Sequence, residues 1–177
     1  MMEGLELIRS LMRDVPDFPR PGILFKDITP VIRDPRGLRA AADLMAAPFA
    51  GRGVTAVAGM ESRGFIFGVP VAERLGVGFV PVRKPHKLPA ATYREEYALE
   101  YGTDALEIHV DALARGDRVL VVDDLLATGG TAKATCELIE QLGGEVVGLA
   151  FLIELTFLPG RDKLAGYDVL ALIPLNE

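Results

Sequence analysis

Residues 119–131, VLVVDDLLATGGT, combine an apolar segment, two adjacent carboxylates and a small loop rich in glycine and threonine. Four apolar residues before the acids predict a strand buried on both faces, as in a parallel sheet. Asp123 and Asp124 then fall where this strand is expected to end, and open α/β sheets bind ligands at that edge. The following loop offers unhindered N–H groups, hydroxyl groups and a helix start, which are typical of a phosphate site. Its residues are Ala127, Thr128, Gly129, Gly130 and Thr131.

The two halves of this motif suit different parts of one ligand. Carboxylates repel phosphate, so Asp123 and Asp124 are expected to accept hydrogen bonds from hydroxyl groups or to bind Mg²⁺. A ribose 5-phosphate, with vicinal hydroxyls near a phosphate, satisfies both halves. The spacing differs from a Walker A loop, because Lys133 lies past the glycine pair, and from the G-x-G-x-x-G fingerprint. The alternative is an ordinary strand–loop–helix turn with a solvated acidic pair.

The composition predicts a single globular domain over residues 1–177, with 50% hydrophobic residues and a mean hydropathy of +0.27. A net charge of −6 with dispersed Lys and Arg argues against nucleic-acid binding. The single cysteine, Cys136, allows no internal disulfide, fits a cytoplasmic protein and is expected to be a buried packing residue. The charged, amphipathic start and the lack of a long apolar run predict neither a signal peptide nor a membrane span.

Strands alternate with helices along the chain, which predicts a doubly wound, mostly parallel α/β sheet. Helices are predicted near residues 5–12, 35–49, 64–75 and 131–142, and strands near residues 23–28, 54–59, 79–82, 117–122, 146–153 and 169–172. Residues 83–96 are polar and contain prolines, and residues 97–101 and 105–110 predict an antiparallel hairpin. The segment of about 83–110 is therefore expected to be a flexible lid, and residues 1–33 a small hood.

A second pattern typical of anion binding occupies residues 59–68, GMESRGFIFG, where a helix is predicted to start beside Arg63. A surface ion pair between Arg63 and Glu61 is the alternative. Two phosphate sites at one sheet edge imply a ligand with phosphates at opposite ends, such as 5-phosphoribosyl 1-diphosphate (PRPP). The cations of residues 83–87, RKPHK, are then either a solvated loop or a clamp on pyrophosphate. His86 has no assigned role, and His109 is expected to be structural.

Residues 119–131 resemble the PRPP signature of the type I phosphoribosyltransferases, and residues 16–154 as a whole resemble the adenine-specific family among them. The resemblance rests on FPRPGILFKDITPV, GMESRGFIFG, VRKPHKLP, LEYG and VVDDLLATGGT, in the family's order. It implies a type I phosphoribosyltransferase fold with an N-terminal hood and a flexible lid hairpin. It implies purine salvage, in which adenine and PRPP give AMP and pyrophosphate. It also implies Mg²⁺ held mainly by PRPP rather than by protein metal ligands, and a homodimer without nucleic-acid or membrane partners.

For PRPP, the resemblance implies that Asp123 and Asp124 hold the ribose hydroxyls and that the loop of residues 127–131 holds the 5-phosphate. The Glu61–Ser62 peptide, expected to be cis, would line the pyrophosphate site. The side chains implied to assist there are Arg63, Arg83 and Lys87.

For the base, the resemblance implies that Phe25 stacks on adenine and that backbone groups near Leu24 and Lys26 contact its edge. Some family members carry arginine at position 26. Glu100 is implied as a proton donor or acceptor at the purine, so Glu100 and Arg63 are the candidate catalytic residues. The alternatives are a core position for Phe25 and a solvent-facing Glu100. At the level of function they are a phosphoribosyltransferase for another purine, or a PRPP-binding regulator, which would need a DNA-binding domain and a basic surface.

Overall fold

The computed structural model describes residues 2–98 and 102–176 of the chain. These residues form a five-stranded parallel sheet with helices on both faces, which confirms the predicted α/β class. The helices are α1 (Met2–Leu11), α2 (Thr29–Arg33), α3 (Pro35–Ala46), α4 (Arg63–Leu75), α5 (Gly130–Gln141) and α6 (Gly160–Lys163), with a 3₁₀ turn at Ala47–Phe49. The strands are β1 (Arg13–Pro16), β2 (Leu24–Asp27), β3 (Ala56–Met60), β4 (Gly78–Val82), β5 (Thr92–Ala98), β6 (Thr103–His109), β7 (Arg118–Leu126), β8 (Glu145–Leu155) and β9 (Val169–Leu175).

The central sheet has the strand order β4-β3-β7-β8-β9, and every pairing in it is parallel. β7 lies in the middle, and its residues 119–122 are fully buried, as the apolar run predicted. One face of the sheet packs against α1, α3 and α4, with Phe49 and Phe67 in that core. The other face packs against α5 and β6, with Leu138 and the buried Cys136 there. Apolar side chains are therefore needed on both faces of β7.

β7 extends further than predicted, so Asp123 and Asp124 lie within the strand and not after it. Pairing between β3 and β7 stops at Gly59 opposite Val122, whereas pairing between β7 and β8 continues to Leu126. The two carboxylates therefore emerge where one neighbouring strand ends and the other continues. The prediction of a sheet-edge site holds on the β3 side, and the predicted strand end was wrong because β8 supports β7 for longer.

Two antiparallel hairpins stand beside the main sheet. In the hood, β1 pairs with β2, a pairing that the proline-rich sequence did not reveal. In the predicted lid, β5 pairs with β6 from Thr92 opposite His109 to Ala98 opposite Thr103. The hairpin was predicted, but residues 92–96 belong to its first strand and not to a loop. Their polar character concealed a strand that gains its support from pairing with the buried side of β6.

The packing of α4 on the sheet depends on glycines that make room for Phe79. A Cβ atom at Gly59 of β3 would lie 2.7 Å from Phe79 Cε2, and one at Gly68 of α4 would lie 2.5 Å from the same atom. The ring therefore fills the space that both missing side chains leave, with Phe65 edge-on at a centroid distance of 5.6 Å.

We expect Gly68→Ala to lower the free energy of unfolding by about 1–3 kcal/mol, because overpacking against Phe79 outweighs the helix propensity of alanine. Gly4→Ala in α1 is the matched control, because its Cβ would lie at an ordinary contact distance of 3.5 Å from Leu44 Cδ1. This variant should raise the free energy of unfolding. Urea denaturation measures both variants, and Phe79→Leu should rescue Gly68→Ala. Equal stabilisation by both glycine substitutions would contradict this packing.

Candidate active site

The first element of the site is an ion pair at the edge of β7. Asp124 is only 6% exposed, and its carboxylate accepts a hydrogen bond from Nε of Arg63, the first residue of α4. This hydrogen bond raises the pKa of the Arg63 guanidinium. The alternative pairing of Arg63 with Glu61 is wrong, because Glu61 Oε2 instead accepts from Arg83 Nε and from the Lys84 N–H, both at 3.1 Å.

Asp123 lies against the start of α4, where Gly64 permits a very close approach. A Cβ atom at Gly64 would lie 2.9 Å from Asp123 Oδ1 and 3.0 Å from the Val122 carbonyl oxygen. Burial raises the pKa of Asp123 well above its ordinary value, and the neighbouring charge of Asp124 acts in the same direction. The positive end of a helix dipole favours a nearby carboxylate, so α4 offsets part of this cost.

The predicted phosphate loop, residues 127–131, forms a small cavity of about 80 Å³ together with Asp123. Gly129 has a φ of 77°, in the left-handed region, and caps α5, which begins at Gly130. The first N–H groups of a helix have no intrahelical acceptors, so this turn can donate to an anion. All five residues predicted to hold phosphate line this cavity.

A larger open cavity of about 560 Å³ lies between the hood and the ends of β7, β8 and β9. Leu24, Phe25 and Lys26 line it from the hood, Arg63 lines it from the start of α4, and Asp124 lines it from β7. This volume is within the range of small-molecule sites.

Phe25 is 39% exposed, and its ring meets Phe18 edge-on with the centroids 5.1 Å apart. The alternative that Phe25 belongs to the core is therefore wrong. The Lys26 ammonium donates to Asp14 Oδ1 at 2.6 Å, so the side chain of Lys26 is held within the hood.

The larger cavity also has apolar residues that the sequence analysis missed. Outside the hood these are Leu125, Ile153, Leu155, Phe157 and Leu175. Leu125 sits between the acidic pair and the phosphate loop, so its position in the motif was a usable signal. The other four carried no such signal, because only the sheet order brings the ends of β8 and β9 next to β7.

Comparison with known proteins identifies the family. Residues 32–169 match the phosphoribosyl transferase domain. The adenine phosphoribosyltransferase of Francisella tularensis subsp. tularensis is 62% identical over 172 residues, which are 96% of this chain and 98% of the relative. The chain belongs to the adenine phosphoribosyltransferase family. This membership confirms the predicted enzyme class, a pentosyltransferase.

Solved structures of adenine phosphoribosyltransferases share the fold. The enzyme of Thermoanaerobacter pseudethanolicus superposes with a TM-score of 0.92 at 57% identity, over 97% of this chain and 99% of that chain. The enzyme of Saccharomyces cerevisiae, complexed with D-2,5-dideoxy-2,5-imino-altritol 1,6-bisphosphate and adenine, superposes with a TM-score of 0.91 at 39% identity, over the same shares of the two chains.

The family resemblance also singled out four residues that line neither of these two cavities, namely Glu61, Ser62, Arg83 and Lys87. The Glu61–Ser62 peptide is cis, as predicted, and Ser62 is exposed just before α4. Arg83 Nη1 donates to the Lys87 carbonyl oxygen at 3.1 Å, so these two predicted pyrophosphate ligands are neighbours. Glu100 falls outside the described residues.

Two structural features are absent from residues 2–98 and 102–176. No helix there has the length and apolarity that a membrane crossing needs. The same residues contain no group of three or more His, Cys, Asp or Glu side chains placed to hold a metal ion.

We expect Asp123→Asn to raise the melting temperature at pH 7–8. Because the pKa of Asp123 is raised in the folded protein, the wild type loses stability as pH rises above the unfolded pKa of about 3.9. The gain should therefore shrink as pH falls towards about 4 and vanish below about 3, where the carboxyl is neutral in both the folded and the unfolded state. Melting curves over this pH range measure the difference.

Asp124→Asn is the matched control, because it weakens the ion pair with Arg63 and should lower the melting temperature at pH 7–8. An Asp123→Asn variant less stable than the wild type at pH 8 would be incompatible with the raised pKa.

Proposed function

We propose that the protein transfers the 5-phosphoribosyl group of PRPP to N9 of adenine and releases AMP and pyrophosphate, as a step of purine salvage. The observation that carries this proposal is that the two cavities share a lining residue and lie on either side of the acidic pair. The larger one has the ring of Phe25 in its wall, the smaller one is the phosphate loop, and Leu125 lines both. A purine in the first and a 5-phosphate in the second leave the ribose beside Asp123 and Asp124.

In this proposal the chain accelerates the reaction by positioning and by charge. The phosphate loop and the acidic pair fix C1 of the ribose against N9 of the base. As the bond from C1 to pyrophosphate loosens, the sugar gains oxocarbenium character. Arg63 uses Nε for Asp124, and its terminal nitrogens make no hydrogen bond to the described residues, so they can face the departing pyrophosphate. Arg83 and Lys87 add charge from the lid, and Glu100 is the proposed proton donor or acceptor at the purine.

We propose Mg²⁺ as the cofactor, held mainly by oxygens of PRPP. Asp124 is already paired with Arg63 and is therefore less available as a metal ligand, which fits an ion that keeps waters and prefers phosphates. Bound Mg²⁺ would neutralise charge on the leaving group. We further propose a cytoplasmic homodimer. The buried, unpaired Cys136 supports a reducing compartment, and sedimentation velocity would test the dimer.

An assay with each nucleobase tests the proposed reaction. The protein, Mg²⁺ and PRPP should give a nucleoside monophosphate with adenine and far less with hypoxanthine, guanine or xanthine. The Asp123→Asn, Asp124→Asn double variant, assayed at the same PRPP concentration, should lose this product because it lacks both ribose ligands. Product from another base in preference to adenine would refute the proposed specificity.

Phe25→Ala should raise the Michaelis constant for adenine about 5- to 150-fold, which corresponds to the roughly 1–3 kcal/mol of a base–aromatic stack. The Michaelis constant for PRPP and the melting temperature should change little, because the ring is part of a cavity wall and not of the core. Steady-state kinetics with each substrate varied in turn give both constants. Phe25→Tyr keeps the aromatic face and is the matched control. An unchanged adenine constant in a strongly destabilised Phe25→Ala protein would remove Phe25 from the site.

We propose that residues 83–96 close over PRPP and so exclude water from the oxocarbenium centre. In the structure this segment is held by Glu61, whose Oε2 accepts from Arg83 Nε and the Lys84 N–H, and by Glu107, whose Oε2 accepts from the His86 N–H at 3.0 Å. Hydrogen exchange in residues 83–96 should slow on addition of PRPP and Mg²⁺, while exchange in the central strand β7 stays slow throughout. Equal exchange of the segment with and without PRPP would argue against a lid.

A further inference from the structure

The phosphate loop rests on the backbone of a segment that the proposed reaction does not use. A Cβ atom at Gly129 would lie 2.6 Å from the Gly160 carbonyl oxygen and 3.1 Å from Gly160 Cα. Conversely, a Cβ atom at Gly160 would lie 3.1 Å from the carbonyl carbon of Ala127. Two glycines therefore let the loop and the first residue of α6 stack backbone against backbone. The position of Gly160 limits where the N–H groups of the loop can point.

Arg161 fixes Gly160 to the sheet. Its Nε and Nη2 donate to Glu154 Oε1 and Oε2 at 2.8 and 2.5 Å, and its Nη1 donates to the Val169 carbonyl oxygen at 3.1 Å. One guanidinium thus ties α6 to both β8 and β9. Glu154 is 7% exposed, and the hydrogen bonds from Arg161 lower its pKa, so the pair stays charged at neutral pH. A bidentate pair of this kind defines an orientation as well as a distance.

The pair lies on the phosphate side of the sheet and not on the base side. Ile153 and Leu155, the neighbours of Glu154 in β8, line the larger cavity. Side chains alternate along a strand, so Glu154 points to the opposite face. That face carries Leu126 and Leu164, the second of which follows α6 directly. A disturbance of the pair should therefore reach the phosphate loop before it reaches the base cavity.

We propose that Arg161, through its pair with Glu154, is a positioning residue for the 5-phosphate of PRPP. It acts by holding Gly160 under the loop of residues 127–131, and it contacts no reacting atom. This inference rests on the proposed role of that loop as the 5-phosphate site. It predicts a selective loss of affinity for PRPP, whereas a pair that serves stability alone would lower the melting temperature without changing the PRPP constant.

The chain offers a matched control at the opposite end of the sheet. Arg118 Nη1 donates to Glu145 Oε2 at 2.5 Å, and Arg118 Nη2 donates to the Arg52 carbonyl oxygen at 3.2 Å. This second Arg–Glu pair joins the starts of β7 and β8, away from the phosphate loop at the end of β7. Arg118→Lys therefore weakens an Arg–Glu pair whose glutamate is more exposed than Glu154 and that cannot act on Gly160.

The test measures melting temperatures and the Michaelis constants for PRPP and adenine in four variants. Arg161→Lys keeps the positive charge but cannot make the bidentate pair with Glu154. Glu154→Gln keeps the side-chain shape but removes the negative charge. Both should raise the PRPP constant about 5- to 50-fold, below the roughly hundredfold loss that a 1 Å misplacement can cause, and leave the adenine constant within about twofold. Arg118→Lys should leave both constants unchanged. Thr128→Glu places a carboxylate in the loop itself and tests the phosphate site directly.

The outcomes separate the inference from the proposed function. If Thr128→Glu raises the PRPP constant while Arg161→Lys and Glu154→Gln do not, the phosphate site stands and the positioning role is overturned. The positioning role is also overturned if Arg118→Lys raises the PRPP constant as much as Arg161→Lys does. If Thr128→Glu has no effect, the loop is not the phosphate site and the inference falls with it. Isothermal titration with ribose 5-phosphate alone should show the same order of affinities as the PRPP constants.

Discussion

The ion pair between Arg63 and Asp124 joins the first residue of α4 to the strand that carries both acids, and the geometry of the site depends on it. Two consecutive carboxylates at a buried strand repel each other, so each needs its own compensation. Asp124 obtains it from Arg63. Asp123 has less charge compensation, and its pKa is therefore raised. Because β3 stops pairing at Gly59, α4 can begin beside the acids, and Gly64 allows its first turn to touch Asp123.

This arrangement lowers the stability of the folded protein, but the acids and Arg63 are in place before a ligand binds. A buried acid with a raised pKa costs folding free energy at neutral pH, and hydrogen bonds from ribose hydroxyls would return part of it on binding. Arg63 is already oriented by Asp124, so less side-chain entropy would be lost when its remaining nitrogens meet pyrophosphate. The same logic applies to the backbone of the phosphate loop, which Gly129 and the helix start of α5 hold in place.

The sequence predicted the parts of this protein whose chemistry is local. The motif of residues 119–131 correctly placed the buried strand β7 and the glycine-containing turn before α5, because burial, charge and glycine content fall together in one short segment. The predicted end of β7 was wrong, because the unequal extents of β3 and β8 decide where the pairing of β7 stops. β1, Leu155 and Phe157 were missed for the same reason: their roles come from neighbours distant in the chain. The Glu154–Arg161 pair is also invisible locally, because an acid within an apolar strand gives no hint of its partner.

The sheet separates the two proposed binding sites. On the α4 face, the cavity proposed for the base is lined by side chains such as Phe25, Leu155 and Phe157. On the α5 face, the phosphate loop is built from backbone N–H groups and from the contact between Gly129 and Gly160, where any added side chain collides. β7 is shared by both faces, so the acids sit where the two meet. In the proposed function, substitutions in the hood would therefore change which base is accepted, whereas the side proposed for the phosphate would tolerate change only where the backbone stays in place.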